Sequence, residues 1–176
     1  VIGATADSEW YAAKNGTVSK INDSSMNYFG SAYVGGKVFL SGRGSALYVA
    51  DMDTLDQPTY VASFGCTVTN LAYDYSTETL YGAATKDGMN FELVTIDMNT
   101  GALTEIGALG VDTNMLATDS KGNFYSIEAG SGDLYTFTLD TLDTPTLVGS
   151  TGYLNNYVQG LTYNNNDGQL YWAQYY

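Results

Sequence analysis

Nineteen acidic side chains, one cysteine, one arginine and no histidine are what this 176-residue chain offers for chemistry. Without histidine there is no Ser-His-Asp or Cys-His nucleophilic site, and the commonest acid and base at neutral pH is missing. Most catalytic zinc sites are excluded for the same reason. Paired carboxylates remain, as in glycoside hydrolysis, where one acid protonates the leaving group and a second attacks or activates water. The five glutamates are Glu9, Glu78, Glu92, Glu105 and Glu128. Glu78 falls in a turn and Glu105 on an edge-like strand, where a solvated side chain is the ordinary case. Glu128, in "FYSIEAGSG", is the best-placed acid for work with a nearby aspartate, although a structural or solvent-facing role is the stronger expectation. A sialidase-type site needs an arginine cluster, and Arg43 stands alone.

Other motifs read as architecture. "GRGSAL" has Gly-x-Gly but neither the lysine nor the helix of a phosphate-binding loop, so a hairpin is expected. "YNNNDGQL" has the oxygen-rich look of a calcium loop, yet Tyr163 stands where the leading aspartate belongs. A plain turn is the favoured reading there, with calcium as the competing one and no other cofactor implied. The Asp-Thr pairs near Asp53, Asp97 and Asp140 are expected to be Asx-turn caps. Cys66, in "SFGCTVTNLAY", is expected to be a buried thiol without chemistry.

A formal charge of −13 argues against nucleic acid and anionic membrane as partners. It suits a solvated acidic surface, with calcium collection as the lesser reading. No apolar run approaches the roughly 20 residues that span a bilayer, so membrane insertion is not expected. The opening "VIGATADSEW" has neither the basic start nor the apolar stretch of a signal peptide, which suggests a mature or excised segment.

These residues sit on a repeat. Leu71, Leu116 and Leu161 are 45 residues apart, and Gly65, Gly107 and Gly149 are 42 apart. Sixteen Tyr, twenty Gly and only two Pro accompany runs of Val, Thr and Phe, the mixture of strands and tight turns. Each copy divides into four short strands. The first, such as Leu71 to Asp74, leads through a polar turn to a second that starts on an apolar pair: Val38 and Phe39, Leu80 and Tyr81, Phe124 and Tyr125, Leu170 and Tyr171. A Gly-bearing loop, an alternating third strand, an Asp-headed turn and a fourth strand follow. No segment sustains a 3.6-residue apolar period, so essentially no helix is predicted.

Four-stranded antiparallel units at this period are the signature of β-propeller blades, each of which buries its faces only against neighbours. Blades are expected roughly over 29–69, 70–113 and 114–152. A composite blade is expected from 153–176 plus 1–28, within a single domain spanning 1–176. "EWYAAKNGTVSKIND" reads as an Asn-Gly hairpin of third and fourth strands that completes the last blade and removes an open edge. Three arrangements stay open: closure of one chain into four blades, a head-to-tail homodimer of eight, or a piece of a longer propeller. "VIGATA" complicates the count as an extra second strand or the tail of a preceding blade.

The pattern "LAYD…LYG…L.TID..TG.LT.IG" resembles the blade repeats of secreted and cell-surface bacterial β-propellers of the YVTN and NHL-like group. It is especially similar to propeller segments of large Gram-positive surface proteins. The resemblance runs from about Phe29 to the end and implies a secreted or cell-surface location. The longest connections, "NDSSMNYFG" and "STGYLNNYVQG", would gather Asn27, Tyr28, Tyr153, Asn155, Asn156 and Tyr157 on one face. Tyrosine and amide groups suit stacking and hydrogen bonding to a sugar or peptide. The expected function is therefore a non-catalytic extracellular interaction module for a protein or glycan partner. A carbohydrate-active enzyme using Glu128 and a structural spacer of a surface protein are the alternatives.

Overall fold

The structure, a computed structural model, describes residues 2–4, 9–24, 26–42, 44–113, 115–154 and 159–174. Three sheets are complete antiparallel four-stranded blades with strands in sequence order. The first comprises β4 (Tyr28–Val34), β5 (Lys37–Gly42), β6 (Ala46–Asp51) and β7 (Thr59–Ser63). The second comprises β8 (Thr67–Asp74), β9 (Thr79–Thr85), β10 (Glu92–Ile96) and β11 (Leu103–Ala108). The third comprises β12 (Ala117–Thr118), β13 (Phe124–Ile127), β14 (Asp133–Phe137) and β15 (Thr146–Ser150). The fourth blade's worth of strands is divided between the ends of the chain. β1 (Ile2–Ala4), β2 (Glu9–Lys14) and β3 (Thr17–Asp23) form one sheet, and β16 (Gly160–Asn164) pairs with β17 (Gln169–Ala173) in another. The sole helical element among the described residues is a 3-10 turn at Leu139–Thr141. The molecule is thus an all-β propeller.

A shared irregularity identifies each strand's place in its blade. The pairing of third with fourth strand slips at Leu47/Tyr48, at Leu93/Val94 and at Leu134/Tyr135. The same slip occurs between β2 and β3, at Trp10/Tyr11. In all four the extra residue lies on the later strand of the pair, whereas in the slips between first and second strands, at Tyr28/Gly30 and Val68/Asn70, it lies on the earlier one, so β2 and β3 are third and fourth strands, as the Asn-Gly hairpin predicts. Asn15 and Gly16 turn that hairpin with φ of 51° and 75°, a conformation that favours Asn and Gly. β1 then holds the second-strand position beside β2, while β17 holds the second-strand position beside β16. The divided blade has five strands for four places, and no ladder joins its two parts among the described residues. "VIGATA" is thereby the source of the extra second strand.

Burial follows from stacking. Four apolar clusters fill the four gaps between successive sheets: around Trp10 and Leu40, around Leu47 and Leu80, around Phe124, and around Met115 and Leu161. The most aromatic gap holds Tyr81 edge-on to Phe124 at 5.0 Å and Phe124 stacked on Phe137 at 5.5 Å. Each such ring contributes about 1.5–3 kcal/mol by leaving water. Cys66 is half-buried at the edge of the Leu47 cluster rather than fully buried, because it lies in the connection before β8 and not inside a strand. Burial still pushes its thiol pKa upward.

The inner strands circle the axis. β4 packs on β8, β8 on β12, β12 on β16, and β16 returns to β4. Gly30 makes the closest approach: a Cβ there would stand 2.5 Å from the Asn70 Cα, so only glycine lets β4 reach β8. Asn70 Nδ2 donates to the carbonyl of Gln159 at 3.3 Å, tying the second blade to the entry of β16.

Candidate functional site

The two ends of the propeller differ. One end carries the connections between blades, where the sequence places Asn27, Tyr28, Tyr153, Asn155, Asn156 and Tyr157. The last three of these lie outside the described residues. Asn27 is half-buried ahead of β4, and Tyr28 has turned inward. The Tyr28 ring lies 5.9 Å from Trp10 and packs on the cluster between the amino-terminal sheet and the first blade. Tyr153 is 50% exposed and meets Trp172 edge-on at 6.4 Å. Thr151 braces it, the hydroxyl donating to the Tyr153 carbonyl at 3.2 Å. A shallow cavity of about 350 Å³ opens at the second blade between Met89, Phe91, Leu109 and Asp112.

Glu128 serves its own hairpin, where Oε2 accepts a hydrogen bond from the Ser131 hydroxyl at 2.6 Å. In "YNNNDGQL" the oxygens are likewise engaged. Asn164 Nδ2 and the Tyr171 hydroxyl donate to Asp167 Oδ2 at 2.7 and 2.9 Å, and the Gln169 amide donates to Oδ1 at 3.0 Å. Among the described residues no three acidic or cysteine side chains cluster as a metal site requires. Of the three expected Asp caps, Asp97 accepts from the Asn99 and Thr100 amides at 2.9 and 2.8 Å. At Asp140 the Thr138 and Thr141 hydroxyls close the turn instead, and the backbone closes the turn after Asp51. The expectation fails at those two because a Thr hydroxyl or a carbonyl already satisfies the donor.

The other end carries the turns between first and second strands, and here the repeat builds a more ordered surface. Asp74 and Asp119 occupy the same place at the end of the first strand, and both are buried. Asp74 accepts from the Ser76 amide and hydroxyl, each at 2.7 Å, and from Thr77 at 3.0 Å. Asp119 accepts from the Lys121 and Asn123 amides at 2.9 Å, from Asn123 Nδ2 at 2.8 Å and from the Tyr125 hydroxyl at 3.2 Å. Burial works to raise the Asp119 pKa, but the hydrogen bonds from Asn123, Lys121 and Tyr125 outweigh it and leave it lowered. Burial, with the Asp119 charge beside it, pushes Tyr125 up to about 12.

Tyrosines pave this end. Tyr33 and Tyr75 are 49% and 47% exposed, and the Tyr75 hydroxyl donates to the Tyr33 carbonyl at 2.7 Å. Tyr73 meets Tyr75 edge-on at 4.9 Å, and Tyr125 stacks on Tyr163 at 5.7 Å, nearly parallel at 3°. Residue type and spacing alone do not mark this set as a surface. The available signal was that Tyr33, Tyr73 and Tyr163 hold one repeat position, immediately before the first-strand end. A cavity of about 420 Å³ opens at the same end between the second and third blades, with Tyr81 and Phe124 at its base and Ser120, Lys121, Thr138 and Asp140 around it.

No family model matches the sequence, and no curated protein does. Solved structures do match. A chain in the crystal structure of a nidogen/laminin complex superposes with a TM-score of 0.64 at 15% identity, over 97% of this chain and 68% of that one. A protein of unknown function from Bacteroides thetaiotaomicron gives a TM-score of 0.60 at 16% identity, over 94% of this chain and 50% of that one. This chain therefore spans about two thirds and half of the two structures. At these identities the likeness establishes the β-propeller fold.

Proposed function

We propose that this chain is a non-catalytic extracellular binding module, secreted or at a cell surface, that presents one propeller face to a protein or glycan partner. The observation behind this reading is the tyrosine-paved turn face. Its exposed rings are held at set positions by hydrogen bonds such as that from Tyr75 to Tyr33, so little side-chain entropy remains to be lost on binding. Tyrosine supplies large contact area with a polar tip, as recognition surfaces require. The similarity to a chain from a nidogen/laminin complex supports a propeller in a protein-binding role. The charge of −13 directs the reading to uncharged or basic partners.

The circle of inner strands, with β16 against β4, supports closure within one chain over a head-to-tail homodimer. A monomer mass in solution at every concentration is the expected result, and a stable dimer mass would reverse this choice. For the module itself, immobilised protein is probed with extracellular proteins and a glycan array, comparing wild type with a Tyr33→Ala, Tyr75→Ala double variant. Binding that the double variant loses supports the reading. Glycan hydrolysis abolished by Glu128→Gln would replace it with the enzyme, and silence across both panels would leave a spacer.

A further inference from the structure

We propose that the groove between the second and third blades, at the turn end, is a subsite for one uncharged sugar ring. The proposal rests on the binding-module reading and names the ligand class of that face. Its volume of about 420 Å³ lies within the usual span of small-ligand sites.

Four polar groups that line the groove have no hydrogen-bond or ion-pair partner among the described residues: the hydroxyls of Tyr81 and Ser120, the Lys121 ammonium and the Asp140 carboxylate. Tyr81 is the telling one. It is only 5% exposed, its ring packed edge-on to Phe124, so its hydroxyl is brought to the groove by a side chain otherwise committed to the core. The ring is buried while the hydroxyl reaches solvent at the groove, where a ligand can take up its hydrogen bond. The neighbouring hydroxyls of Ser76 and Thr77 are already given to Asp74.

The donor and acceptor set fits vicinal sugar hydroxyls, which both give and take hydrogen bonds. Asp140 accepts, Lys121 donates, and Tyr81 and Ser120 do either. Leu139, 45% exposed at the rim, offers apolar contact to the C–H face of the ring. Lys121, the one cation lining the groove, shares it with two carboxylates, Asp74 and Asp140, in a molecule of charge −13, which disfavours an anionic sugar. A peptide fits less well, because the groove opens between turns and offers no free strand edge for main-chain pairing.

Isothermal titration with maltose, cellobiose, lactose and chitobiose tests this, with di-galacturonic acid as the anionic control. At least one neutral disaccharide is expected to bind and the control to fail. Tyr81→Phe, which keeps the ring and its packing, should weaken binding about tenfold, as should Asp140→Asn, the scale of one lost hydrogen bond. The melting temperature of each variant checks that the fold is intact. Binding that ignores both substitutions, or no neutral sugar bound, overturns the subsite. A protein partner lost with Tyr33→Ala and Tyr75→Ala but kept by Tyr81→Phe would leave the module reading standing while the sugar reading falls. A basic peptide displaced by Asp140→Asn would assign the groove to peptide instead.

Discussion

The second blade and the divided blade are built from the same four-strand plan, yet they are held very differently. In the second blade, β8 and β9 bury almost every residue, and the sheet is packed on both faces. In the divided blade, β3 buries none of its seven residues, and among the described residues Trp10 is the one fully buried anchor of its sheet. β17 alternates between exposed and half-buried positions without one buried side chain. The comparison teaches that position in the ring, rather than strand quality, sets local stability. A sheet with blades on both sides has two apolar gaps to fill, whereas the amino-terminal sheet fills one, against the first blade.

The largest effect should come from Phe124→Ala. Phe124 joins Tyr81 and Phe137 in the gap between complete blades, and its truncation is expected to cost about 3–5 kcal/mol. Global chemical denaturation measures this, and a loss below 1 kcal/mol would mean that the complete blades are no better anchored than the ends.

Trp10→Ala should act locally. Amide exchange in β2 and β3 is expected to rise to near free-chain rates while the three complete blades keep their protection. Uniform loss across the molecule would contradict the difference between the regions and show instead that the divided blade closes the ring cooperatively.

Asp119→Asn comes next, at about 1–3 kcal/mol for weakening the acceptor of four buried or half-buried donors. Because the folded-state pKa is lowered, the unfolded chain takes up the proton first on acidification. The contribution of Asp119 is therefore present above about pH 4 and lost as pH falls further. Melting curves from pH 6 to pH 3 should show a smaller acid loss for the variant than for wild type.

The smallest effect should be alkaline. Tyr125 is pushed up to about 12 in the folded protein, against about 10 for a free tyrosine. Its contribution is complete below the free value and disappears as pH rises through the folded one. Ultraviolet titration should show a late phenolate step that Tyr125→Phe removes. If that step is absent from wild type, the turn of the third blade is more open than its hydrogen bonds indicate.

How much could be read in advance varies with the range of the interaction. Asn15 and Gly16 made a hairpin predictable because two residues with positive φ determine the turn and its register. The apolar pairs at Val38, Leu80 and Phe124 marked second strands because alternation is local. Tyr28 shows where this ends. Its place after a long polar connection suggested a surface residue, and Trp10, eighteen positions away, draws it into the gap between sheets. Tyr81 carries no functional signal, since half of what makes its hydroxyl available is the neighbouring blade, with Phe124 43 positions on.

Residue types and their spacing are enough to specify the four-strand repeat, the turn chemistry, the near-lack of helix among the described residues and the acidic surface. All of these follow from residue types within reach of one another along the chain. Which tyrosines pave a face, which carboxylates are saturated with donors, and where a groove with unclaimed polar groups opens depend on the packing of blades against one another. The tertiary structure also decides that β1 and β17 both take a second-strand place. Such properties arise from how rigid sheets meet side by side, at angles and separations that no local stretch of sequence specifies.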